Sequence, residues 1–141
     1  MKAINYDRED RNKHLEFIQN AVNRMASNSF ILKGWSVTLI TGIIALSLTT
    51  STTRFIYLAF VPSIAFWGLD AYYLRQEKLF RKLYDYVRTK EIKNIEPFLL
   101  DTSIVKEKVG SWLSICFSKS MVYLHLMILL ILIALSIWGG K

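Results

Sequence analysis

The chain has 141 residues, 52% of them hydrophobic and 21% charged, and a formal net charge of +7. That length allows one small domain at most, and a water-soluble domain of this size carries fewer apolar and more charged residues. Its single cysteine, Cys116, rules out an internal disulfide. The apolar residues gather in three stretches, from Ile31 to Leu48, Phe55 to Leu74 and Met121 to Trp138, and the charges fall almost wholly outside them. Three stretches of that length predict an all-α membrane protein with three spans, a hairpin plus one, accompanied by amphipathic helices; were it to form a channel, three spans per copy would require an oligomeric helical bundle.

Residues 1–30 form the first predicted unit. Leu15, Ile18, Val22 and Met25 recur at spacings of three and four, the mark of one helical face. Asp7 is placed to cap that helix, because its carboxylate can accept a bond from an unpaired backbone N–H. The apolar face packs either against residues 79–87 of the same chain or against another subunit. Lying after a polar helix, the first apolar stretch is not a cleaved signal peptide.

The transmembrane hairpin is predicted at 31–74. Lys33 and Trp35 stand at its entry as anchors at headgroup depth. The polar run from Leu48 to Arg54 is too short to do anything but join two antiparallel spans. Pro62 removes a backbone donor from the second span and predicts a kink near 58–62.

Residues 75–119 are predicted to be extramembrane helices. Leu79, Leu83 and Val87 continue the second helix beyond the bilayer, and Pro97 predicts a break between 91 and 103. Val105, Val109, Trp112, Leu113, Cys116 and Phe117 form an apolar stripe, read as one helix lying on the membrane or against the bundle. Residues 120–141 supply the third span and a Gly139-Gly140-Lys141 tail. Six Lys and Arg fall up to Lys33, one in the hairpin turn, ten between spans two and three and one in the tail. The positive-inside bias therefore places the N-terminus and the long loop in the cytoplasm, with the turn and the C-terminus outside.

Catalytic signatures are missing: there is no Gly-rich phosphate loop, no paired-cysteine motif, and the two histidines, His14 and His125, are far apart. No catalytic residue, metal ligand or cofactor is expected, and the chain does not read as an enzyme. Polar residues inside the apolar stretches carry the functional interest. Thr38, Thr41, Gly42, Ala45 and Thr49 share one face of span one and serve either close helix packing or the lining of a narrow pore. Asp70 is a carboxylate at the edge of hydrocarbon and needs a partner, for which Lys33 and Arg75 are the candidates. It forms either a structural ion pair or a gate. His125, one turn into span three, is read either as a hydrogen bond to a neighbouring span or as a pH-sensitive or pore residue. Cys116 reads as a small packed hydrophobe. Lys78, Arg81, Lys82, Arg88, Lys90 and Lys93 make a basic surface for anionic lipid, a nucleotide or a protein partner.

Three runs near the N-terminus, Lys13–Gln19, Asn23–Phe30 and Lys33–Leu39, and a fourth from Phe66 to Arg81 (Phe66-Trp67-Gly68-Leu69-Asp70-Ala71-Tyr72-Tyr73 and onward) resemble a group of small bacterial membrane proteins. That group is similar to the SLATT-like membrane effectors of anti-phage defence and to the membrane subunit of the Hailong type. The resemblance covers residues 13–81, and the third span departs from the two-span SLATT pattern. It implies a homo-oligomeric channel in the bacterial inner membrane, held closed in resting cells; a tetramer is taken as the assembly with no residue or motif that fixes the number. A nucleotide or oligonucleotide from a partner nucleotidyltransferase or TIR-type enzyme, or another infection cue, would open it and depolarise the cell. A membrane-anchored scaffold or sensor that presents its extramembrane helices to a soluble partner is the alternative expectation.

Overall fold

The computed structural model describes residues 7–50, 52, 54–91 and 95–138; the expectations for Lys93 and for the tail at 139–141 lie outside these. Helix α1 (Arg8–Thr49) has 42 residues and is continuous from the polar segment through the first span. At 1.5 Å per residue it is about 63 Å long, roughly twice the thickness of the hydrocarbon core. The boundary expected at residue 30 is thus a change of solvent and not of backbone, since no Pro or Gly interrupts the chain between Asp7 and Lys33. Asp7 caps the helix as its sequence position predicts. Its Oδ1 accepts from the Asp10 N–H at 2.9 Å, and the Asp10 carboxylate returns a bond to the Asp7 N–H.

The hairpin turn adds hydroxyl donors at the end of α1, where carbonyls lack helical partners. Leu46 O accepts from the Thr50 N–H and from the Thr49 and Thr50 hydroxyls, and the Ser47 hydroxyl donates to Thr52 O at 2.9 Å. This explains a Ser/Thr-rich turn, because hydroxyls supply the donors that an exhausted helix lacks. Helix α2 (Arg54–Thr89) returns antiparallel to α1 over 36 residues and continues through Pro62 without a break.

Beyond α2 the backbone departs from the sequence expectation. Residues 105–117 do not form one helix. A 3-10 segment, Ser103–Lys108, is followed by an extended Val109 and then by the short helix α3 (Trp112–Cys116), whose first turn is capped by Ser111. Gly110 and Ser111 favour that interruption, so the stripe from Val105 to Phe117 belongs to two separate cores. The turn before it, Glu96 to Leu99, places Phe98 at φ 57°, a left-handed conformation in which a bulky side chain is strained. His14 Nε2 donates to Leu99 O at 2.8 Å and holds this turn against α1. Helix α4 (Lys119–Trp138) has 20 residues, enough to cross the hydrocarbon once.

Among the described residues three cores hold the chain together. At the polar end, called the head here, Ile18 packs with Leu79, Leu83, Val87, Ile95 and Val105, so the α1 face meets residues 79–87 within one chain. Ala71, Ile115, Cys116 and Met121 form a second cluster where α3 turns into α4. Ile40, Ile56, Ala59, Ile128 and Leu132 form a third deep in the spans. The pairing of Ile128 and Leu132 with Ile56 and Ala59, and of His125 with Asp70, makes α4 antiparallel to α2 and parallel to α1. The three long helices are apolar enough to cross a membrane, yet only 17%, 28% and 22% of their most apolar stretches are buried. Apolar side chains facing outward all round are stable in lipid and not in water, so this is an all-α membrane protein.

Candidate functional site: a buried polar hub and an outward face of small residues

The hub is built where the three spans meet the head. Asp70 lies on α2, one turn before Leu74, and its side chain is fully buried. Lys33 from α1 donates to Asp70 Oδ1 at 2.7 Å and to the Ser29 hydroxyl at 2.7 Å, and the Ser29 hydroxyl donates to the same carboxylate oxygen. His125 from α4 donates through Nε2 to Asp70 Oδ2 at 3.1 Å. One carboxylate thus receives donors from both other spans, and the charge of Lys33 balances it, which is what a carboxylate near hydrocarbon requires. Arg75, the other candidate partner, donates instead to Gly110 O at 3.2 Å.

Aromatic rings seal the hub on its α3 side. Trp67 stacks on the His125 imidazole with centroids 5.8 Å apart and planes 7° from parallel, while its Nε1 donates to Cys116 O at 3.0 Å. Trp112 Nε1 donates to Gly68 O at 3.1 Å, and a Cβ at Gly68 would stand 3.3 Å from the Trp112 ring, so the absence of a side chain there lets the indole approach. Two indoles therefore tie the short α3 to α2. Cys116 is buried, and burial pushes its thiol up, which suits packing and not reactivity. Among the described residues no group of three His, Cys, Asp or Glu side chains is arranged to hold a metal ion.

Sequence reasoning overlooked the serines. Ser29, Ser36 and Ser47 are buried on α1 and Ser63 on α2, all along the α1–α2 interface. Their small side chains let two long helices pack closely within the bilayer. The face singled out from the sequence lies elsewhere. Thr38, Thr41, Gly42, Ala45 and Thr49 are all exposed, and at 100° per residue they project roughly opposite to Ser36, Ile40 and Ser47. They do not serve packing inside the protomer. A shallow apolar groove of about 520 Å³ runs along this face over Gly42, walled by Trp35, Leu39 and Leu46.

The basic residues of the head separate into two groups. Lys78, Arg81 and Lys82 open onto one groove with Lys108. Arg88 instead reaches Asp85 at 3.5 Å, and Lys90 lies over the Tyr86 ring, 5.4 Å from its centroid. No family model, curated protein or solved structure matches the chain.

Proposed function

We propose that the protein is a channel-forming effector of bacterial anti-phage defence, built from several copies around a pore that is closed at rest. The observation that carries this reading is the outward direction of Thr38, Thr41, Gly42, Ala45 and Thr49. Small and hydroxyl side chains in a bilayer are expected at helix contacts or beside water, and this face is exposed on its own protomer. Three spans are too few to enclose a pore, so a second and further copies supply the remaining walls. In this reading α1 lines the axis, α2 and α4 stand behind it, and the Asp70 hub clamps the three spans into a unit that moves as one. The resemblance to SLATT-like effectors supports the defence role, opening by a nucleotide or partner signal, and a homo-oligomeric assembly. The Lys and Arg asymmetry supports a head and N-terminus in the cytoplasm and a hairpin turn outside.

A second reading, a scaffold or sensor, draws on the head. Phe17, Phe98, Leu100 and Ile104 are 50%, 38%, 45% and 45% exposed at the end remote from the spans, where no lipid reaches. Conductance across a planar bilayer containing the purified protein, with and without added nucleotides, separates the two. Discrete currents support the channel. A silent bilayer under every condition, with a stable head-to-protein complex, supports the scaffold.

A further inference from the structure

A second polar site lies in the head, one to two turns beyond the spans. The groove there has a volume of about 550 Å³, within the range of small-molecule sites. Lys78 and Lys82 enter it from successive turns of α2, Lys108 from the end of the 3-10 segment, and Tyr84 and Gln19 complete its polar lining. Val22 and Ile115 form an apolar floor.

The charges do not balance. Arg81 is held through Nε by Glu77 at 2.8 Å, and Asp85, the acidic residue on the lining, is turned to Arg88. Lys78, Lys82 and Lys108 form no ion pair among the described residues. Three unpaired cations on one concave surface outnumber its single carboxylate, Asp85, and raise the local potential, which an anion relieves. Flexible ammonium groups with three donors each suit phosphate oxygens, and the apolar floor suits a neutral remainder. Depth fits as well. At 1.5 Å per residue Lys78 and Lys82 stand about 6 and 12 Å past Leu74, from the headgroup layer outward.

We infer that this groove binds a phosphate group carried on a larger ligand, reached either from the bilayer as an anionic phospholipid headgroup or from solution as a nucleotide. The site involves the head alone and stands whether or not the spans conduct. It also divides the basic surface, because Arg88 and Lys90 lie outside it and Lys108 lies within.

The test uses the full chain in neutral detergent, with ADP and phosphatidylglycerol as probes and phosphatidylcholine as the uncharged reference. Calorimetry reads ADP binding, and native mass spectrometry reads retained lipid. Lys82→Gln/Lys108→Gln is compared with Arg88→Gln/Lys90→Gln, which removes the same charge outside the groove; the single variants Lys82→Gln and Lys108→Gln stand in if the first pair alters the helical circular dichroism. The groove variants are expected to weaken binding of at least one probe tenfold or more, the outer pair less than twofold. Loss of ADP binding identifies a ligand from solution, and loss of phosphatidylglycerol a lipid. Equal losses in both pairs, or no binding of either probe by the native protein above the phosphatidylcholine level, overturns the site.

Discussion

Lys33 and Asp70 stand 37 positions apart in the chain and 2.7 Å apart in space, joining α1 to α2 at the level where the spans meet the head. The carboxylate is fully buried, whereas Lys33 keeps 28% of its side chain exposed while its ammonium donates to Asp70 and Ser29. His125 completes the joint from α4. The pair therefore fixes the rotation of all three spans about their own axes, a role that dispersion contacts between Leu and Ile side chains perform poorly in lipid.

Breaking this pair on one side leaves a charge without its partner. Asp70→Asn is expected to destabilise the protein by about 2 kcal/mol, at the low end for a buried pair because Lys33 can turn toward the headgroups. Lys33→Met/Asp70→Asn is expected to recover at least half of that loss, since no charge is then stranded. Unfolding in a detergent titration reads both. An Asp70→Asn protein as stable as the native one removes the hub from the account.

The head is held by Ile18, which is fully buried among Leu79, Leu83, Val87 and Val105. Ile18→Asp places an unpaired carboxylate there, at a cost of about 3 kcal/mol or more. Proteolysis of intact membranes is expected to cut the variant between residues 90 and 103 far faster than the native chain. Equal cleavage rates contradict the packing of α1 on α2 in the head.

Orientation is tested by labelling. With Cys116 replaced by Ser, a cysteine at Thr52 is expected to react with an impermeant maleimide added to whole cells, and a cysteine at Lys90 only after lysis. The opposite pattern reverses the assignment of sides.

How far the sequence could be read depends on the solvent around each segment. In the head, water on one side and core on the other give apolar periodicity its usual meaning, and the spacing of Leu15, Ile18, Val22 and Met25 led directly to the face that packs on α2. Inside the bilayer the same reasoning weakens, because lipid and protein interior are equally apolar. Span one carries two polar faces, the serines at 29, 36 and 47 and the threonine face from Thr38 to Thr49, and periodicity alone does not say which one meets α2. Asp70 was legible because a carboxylate in hydrocarbon has so few solutions, and Lys33 stood at the matching depth. The stripe from Val105 to Phe117 misled because i, i+4 and i+7 spacing survives a chain break. Gly110 and Ser111 were the local signal that a new helix starts at Trp112.

The central claim is that the small face of α1 surrounds the axis of an oligomeric pore. Thr41 is exposed on that face, and Leu130 is exposed on α4, where lipid is expected. Potassium flux from proteoliposomes, measured for the native protein, Thr41→Trp and Leu130→Trp at matched reconstitution and with the nucleotide that opens the native pore added, tests it most directly. Flux by the native protein and by Leu130→Trp, with at least a tenfold loss in an assembled Thr41→Trp, is the predicted result. Equal flux through both variants would contradict it and take α1 out of the pore.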